Sequence, residues 1–300
     1  MKKSFTGMGI PFITPFLNDS MQVDYETLER IIDFLINEQQ ADSLIAIGTT
    51  GESTSLSHDE KCTIIKKTIS YVNKRVPVIV ATGTANTEET IEMTKYAEEN
   101  GADGVLIITP YYIKPDQEGI YQHFKKIAAN TKLPIIIYNH PGRTGQNIEP
   151  ATLARLSEIE NIVGVKDCCG SMVQTMETIR EVKKDFLVLT GEDINIYLNM
   201  CLGGQGCIAA TGHIIGPEIQ MIIKSVKEGD LATAQKIHFK IMPIIKLLFQ
   251  APNPAPLKKA LDLMRPGLGG NVRLPLVPVD DSLTQKLKAE LTVLGKIISS

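Results

Sequence analysis

The chain has 300 residues, and 43% of them are apolar; that is the composition of a globular protein and excludes a disordered or fibrous one. Its 31 basic residues against 34 acidic ones leave a formal charge of −3, which gives no electrostatic case for nucleic acid or an anionic membrane as partner. No apolar run approaches the ~20 residues of a membrane-spanning helix. The start, MKKSFTGMGIPF, lacks the long apolar core and cleavage site of a secretion signal, so a cytoplasmic location is expected.

Along the chain, short β-branched runs alternate with amphipathic stretches. The runs are Gly9–Thr14, Ser43–Gly48, Val76–Ala81, Gly104–Thr109, Pro134–Tyr138, Ile162–Lys166, Phe186–Thr190 and Gly206–Ala210. Most are continuously apolar, as in parallel strands covered on both faces. Between the first two runs, Asp24 is a natural N-cap for a helix carrying Leu28, Ile31, Ile32 and Leu35 on one face. After the second, Ser57 and Glu60 form a capping box. Asn86 and Glu89 open a third helix that stops near Asn100-Gly101. Stretches 117–130, 150–158, 171–184, 193–201 and 216–227 continue the series. Strand and helix alternating eight times predict an α/β fold, a (β/α)₈ TIM barrel over residues 1–229. A doubly wound sheet is the alternative, but the chain has no GxGxxG after an early strand. Beyond residue 229 the alternation stops. Helical stretches at 230–249, 256–264 and 282–298, separated by Pro252-Asn253-Pro254-Ala255-Pro256 and a proline-rich segment, predict a small C-terminal helical domain over 230–300.

In such a barrel the active site gathers at the C-terminal strand ends. Those ends carry Gly48-Thr49-Thr50-Gly51, Tyr111-Tyr112, Tyr138, Arg143, Lys166-Asp167 and Glu192-Asp193. Lys166 is the sharpest candidate. At the end of an apolar strand its amine is partly desolvated, and burial by itself lowers a lysine pKa toward the nucleophilic free amine. Tyr138 and Tyr112 are candidate proton carriers, with the Thr50 hydroxyl able to bridge them. The glycines around Thr49 and Thr50 leave amides open to a carboxylate, and Arg143 suits a second carboxylate. No His/Asp/Glu spacing indicates a metal site. The five cysteines lack CxxC spacing and predict neither disulfides nor a zinc site, with Cys168 and Cys169 read as small buried hydrophobes. The five histidines are scattered and read as structural.

GTTGES at 48–53, TPYY at 109–112, YNHPGRTG at 138–145 and VKD at 165–167 occur in that order. Together with GIPFITPF and PNPAPLK, they make nearly the whole chain resemble the dihydrodipicolinate synthase / N-acetylneuraminate lyase family. The resemblance implies a Schiff base between Lys166 and pyruvate, with Tyr138 as general acid/base. It implies Thr50 and Tyr112 as relay members, Tyr112 coming from a neighbouring subunit of a dimer or tetramer. It places Thr49, Thr50 and Ile208 against pyruvate and Arg143 on the carboxylate of aspartate semialdehyde. The RTG arginine and the Tyr111-Tyr112 pair match the synthase branch, which forms 4-hydroxy-tetrahydrodipicolinate for diaminopimelate and lysine biosynthesis without a cofactor or metal. The alternatives are a lyase or aldolase acting on N-acetylneuraminate or a keto-deoxy sugar acid, a related dehydratase or deaminase, or a non-catalytic carboxylate-binding barrel. Asp167-Cys168-Cys169 stands where the branch commonly has Glu-Ala-Thr or Glu-Ala-Ser. Ser53, His58, Glu89 and Tyr111 match a lysine-responsive regulatory site, while Ala85 and Lys61 depart from it, so feedback by lysine is expected to be weak or absent.

Overall fold

The computed structural model describes residues 5–297, so Lys2 and Lys3 of the amino-terminal segment and residue 298 of the last expected helix lie outside it. Eight parallel strands close into a barrel in sequence order: β1 (Gly7–Pro11), β2 (Ser43–Ala46), β3 (Val78–Ala81), β4 (Gly104–Ile108), β5 (Ile135–Asn139), β6 (Ile162–Asp167), β7 (Leu187–Thr190) and β8 (Gly206–Ile208). The barrel expected from the alternation is therefore the one observed. Its helices are α1 (Tyr25–Asn37), α2 (His58–Val72), α3 (Thr87–Glu99), α4 (Gln117–Ala128), α5 (Pro141–Thr144), α6 (Pro150–Ser157), α7 (Met172–Glu181), α8 (Ile196–Cys201) and α9 (Gly212–Lys227). Then follow α10 (Leu231–Leu248), α11 (Ala255–Met264) and α12 (Asp281–Val293).

Two cores result from the pleat, because successive strand residues point to opposite faces. A small inner core of Ile45, Ile79, Leu106, Ile136, Leu189 and Ile208 fills the barrel, with Phe5 buried at its N-terminal end. The larger core lies between strands and helices. Tyr138 and Cys168 continue the inner set toward the C-terminal rim. Asn139 and Asp167, one residue out of phase, turn outward and bond each other at 3.2 Å.

Local differences from the sequence reading have identifiable causes. The first strand ends at Pro11 rather than Thr14, because the Ile13 amide is taken by the His213 imidazole at 3.3 Å instead of a strand neighbour. Helix α9 begins at Gly212 rather than 216; a turn precedes Pro217 and is offset from it by a kink at Ile215. The segment after β5, read as loop, contains the short helix α5, begun by Pro141 and stopped by Gly145 at φ 72°.

Candidate active site

A cavity of ≈ 720 Å³ opens at the C-terminal end of the barrel, and Thr49, Thr50, Tyr138, Arg143, Lys166 and Ile208 all line it. Register explains the central pair. Tyr138 of β5 lies directly opposite Lys166 of β6, so both side chains project into the barrel from adjacent strands. The ammonium of Lys166 sits 4.2 Å from the centroid of the Tyr138 ring, and both residues are buried. Lys166 makes no ion pair with its neighbour Asp167, whose carboxylate faces α7 and accepts from the Thr175 hydroxyl at 3.0 Å.

Burial pulls the pKa of Lys166 down, as the sequence suggested, but Tyr138, Cys168 and Asp193 together push it further up, and the net shift is upward. The resting lysine is an ammonium held by its surroundings. The lowering expected from burial alone is outweighed by the combined pull of Tyr138, Cys168 and the Asp193 carboxylate. Burial raises the Tyr138 phenol, against opposing pulls from Lys166, Arg143 and a hydrogen bond to the Thr49 side chain. The phenol is thus protonated at neutral pH. Asp193, pushed up to about 6 mainly by burial, accepts the Thr211 amide at 2.7 Å.

The loop bearing Thr49 and Thr50 is held under strain. Ile47 (φ 49°) and Glu52 (φ 54°) both occupy the left-handed region that side chains disfavour. What fixes it is an ion pair that sequence reasoning missed: Glu52 meets Lys258 of α11 at 2.5 Å, with both side chains almost fully buried. Lys258 also donates to the carbonyls of Thr14 and Asn271, and the Glu52 carboxylate accepts the Arg273 amide. Among the described residues, the amides of Thr49 and Thr50 donate to no carbonyl, leaving two N–H groups free for a carboxylate. The two threonines differ in their side-chain contacts. The Thr49 side chain lies close enough to the Tyr138 phenol to lower its pKa, whereas Thr50 accepts from the Asn253 side chain at 2.9 Å. Asn253 belongs to the proline-rich stretch that reads, in sequence, only as a connection between helices; its cis bond to Pro254 is the one local oddity.

Arg143 stands exposed on α5 at the cavity mouth, without an ion pair among the described residues. Tyr111 lines the cavity, but Tyr112 does not. It is 90% exposed, at φ 72°, in the loop after β4. One chain alone therefore does not bring Tyr112 to Lys166. Of the other residues matched to a regulatory site, Ser53 lines the cavity while His58 and Glu89 lie outside its lining at the starts of α2 and α3. His213, near the rim in sequence, is fully buried outside the cavity lining. Its Nε2 accepts from Ile13, and its Nδ1 lies 2.8 Å from the Ala210 carbonyl.

Residues 4–294 match the dihydrodipicolinate synthetase family. The chain belongs to this family. Its relatives include a 4-hydroxy-tetrahydrodipicolinate synthase of Bacillus subtilis (strain 168), 44% identical over 97% of this chain and 100% of that one. Among solved structures, the dihydrodipicolinate synthase of Thermotoga maritima superposes with a TM-score of 0.94 at 38% identity, covering 98% of this chain and 99% of the other. The chloride-inhibited dihydrodipicolinate synthase of Acinetobacter baumannii, complexed with pyruvate, gives 0.93 at 39% identity, covering 98% and 100%. Among the described residues no helix is long and apolar enough to cross a membrane.

Proposed function

We propose that the chain is a pyruvate-dependent lyase that catalyses the synthesis of 4-hydroxy-tetrahydrodipicolinate from pyruvate and aspartate semialdehyde, with Lys166 as the Schiff-base residue. The observation that carries this reading is the placement of Lys166 against Tyr138 inside a cavity with free amides at one side and Arg143 at its mouth. The pyruvate carboxylate docks on the Thr49 and Thr50 amides. Lys166, once deprotonated, attacks the keto carbon, and Tyr138 protonates the departing hydroxyl to leave an iminium. The Tyr138 phenolate takes up a methyl proton, giving the enamine, whose carbon attacks the aldehyde. Tyr138 protonates the new alkoxide as it forms. Arg143 grips the far carboxylate and presents the aldehyde in attack geometry. The amine of the second substrate then attacks the imine carbon, closes the ring and releases Lys166. No step calls for an added cofactor, because the protonated imine is itself the electron sink.

Exposure of Tyr112 and Ile113, at 90% and 64%, supports a homo-oligomer in which Tyr112 of one copy completes the relay of the other. The relay in this reading runs through Thr49, the hydroxyl that touches Tyr138, with Thr50 held by Asn253. Residues 230–300, as a helical domain, supply that clamp. A cytoplasmic setting fits the five free cysteines, and the divided set of Ser53, Tyr111, His58 and Glu89 fits weak or absent feedback by lysine.

The test is pyruvate with borohydride, read by intact mass. Wild type should gain one reduced pyruvate adduct and the Lys166→Ala variant none. A folded wild type without adduct overturns the mechanism. An adduct followed by condensation with sugar aldehydes but not aspartate semialdehyde assigns the second substrate to the lyase branch instead.

A further inference from the structure

Three side chains beside the cavity remain unused by this chemistry. His140 follows β5, Cys168 follows β6 and Glu192 follows β7, so three adjacent strands deliver them to one place. One ligand-capable atom of each, an imidazole nitrogen, the thiol sulfur and a carboxylate oxygen, lies within 4.8 Å of the other two. We infer that His140, Cys168 and Glu192 form an inhibitory site for a thiophilic divalent cation of the zinc type.

The donor set is the first reason. One nitrogen, one sulfur and one carboxylate oxygen, with a fourth position open to the cavity, is the ligand chemistry of zinc and cobalt rather than of magnesium or calcium. Metal–ligand bonds of about 2.0–2.3 Å place tetrahedral ligand atoms roughly 3.3–3.8 Å apart, so the three groups need to close by about 1 Å. Glu192 and His140 are only partly buried and have room to do so. The second reason is an unmet bond: His140 Nδ1 is buried and has no hydrogen-bond partner among the described residues. The ring is neutral at physiological pH, its pKa lowered to about 4 by burial and by Arg143 and Lys166, so a lone pair is available.

Charge is the third. Lys166 and Arg143 are the cations nearby, and Glu192, Asp193 and Asp167 are the anions acting on Cys168 and its surroundings. With all five ionised the neighbourhood carries one net negative charge. Binding forms a sulfur–metal bond and releases the thiol proton to solvent, which adds one positive charge and brings the cluster to neutrality. Cys168 is 5% exposed, and its thiol is held well above its ordinary pKa by burial, so the proton leaves only when a metal replaces it. Inhibition follows from position. The Cys168 sulfur and Lys166 Cε both lie 2.4 Å from where a side-chain carbon on Gly191 would sit, so the metal would be anchored beside the reacting lysine. Its other ligands, His140 and Glu192, line the wall that also carries Arg143.

Cobalt(II) and zinc(II) chlorides added to the intact protein test the inference. Wild type should take up one cobalt per chain with a thiolate-to-cobalt charge-transfer band in the near ultraviolet. Stoichiometric zinc should remove the band and reduce condensation at least tenfold, reversibly with a chelator. Cys168→Ala should lose both the band and the inhibition, zinc leaving that variant's own metal-free rate unchanged; Cys168→Ser, which preserves a polar group of similar size, serves if the alanine variant misfolds. Cys169→Ala should behave as wild type. No band in wild type overturns the site. A band that persists in Cys168→Ala places the metal elsewhere, exposed His58 and its half-buried neighbour Cys62 being the obvious alternative. Uptake without loss of activity overturns the inhibitory role. The cobalt band does not depend on the reaction, so its failure is separable from failure of borohydride trapping.

Discussion

Lys166 and Lys258 are both buried, at 7% and 1% exposure, yet their surroundings have opposite effects. Lys258 is bound on every side: Glu52 at 2.5 Å, the Thr14 carbonyl at 2.7 Å, the Asn271 carbonyl at 2.6 Å and the Phe16 ring beneath it. Lys166 has an aromatic face and acidic neighbours but no ion pair among the described residues. Burial dominates at Lys258, whose pKa falls to about 8 despite Glu52; at Lys166 the neighbours outweigh burial. A lysine whose donors are all committed holds structure together. One whose charge is favoured by the environment, with its hydrogens uncommitted, is poised for chemistry. Depth of burial alone would have ranked the two the wrong way round.

Substituting each lysine separates these roles. Lys166→Met should reduce condensation by at least about 10³-fold, the loss of a covalent intermediate, with little change in thermal midpoint; a large loss of stability there would break the contrast. Lys258→Met should instead destabilise by about 3–5 kcal/mol, because Glu52 is left as an uncompensated buried charge. Denaturant titration measures it, and adding Glu52→Gln should restore part of the loss. A smaller effect is expected one step from the clamp. Asn253→Ala removes the bond to Thr50 and should reduce kcat/KM by roughly tenfold, about the size of one hydrogen bond at a positioned group, while borohydride trapping still marks Lys166.

The last effect is a pH dependence. His123, His140 and His213 each have a pKa lowered by burial to about 4. A depressed histidine contributes stability that is present above its ordinary value of 6.5 and lost as the pH falls through the folded-state value. Stability should therefore fall from pH 6.5 toward 4. His213→Gln, which retains a neutral hydrogen-bonding group, should make that fall shallower by the share of one histidine. Denaturation midpoints at several pH values decide it, and an unchanged slope would remove His213 from the account.

Much of the fold was legible in the sequence because a parallel barrel writes itself locally. Continuous β-branched runs, N-caps such as Asp24 and Asn86, and the Ser57–Glu60 capping box act within a few residues. The strand-end position of Lys166 and its relation to Tyr138 were readable for the same reason: a closed barrel of known order fixes which strand ends are neighbours. Tertiary structure decided what depends on distant segments meeting. It paired Glu52 with Lys258 across 206 positions of chain, brought Asn253 onto the loop at Thr50, and turned Tyr112 outward. It also set the charge balance at Lys166, since Tyr138 of β5 and Asp193 beyond β7 act on it together with its own strand's Cys168. Periodicity reports which face of an element is buried; it carries no record of which polar groups will share that burial.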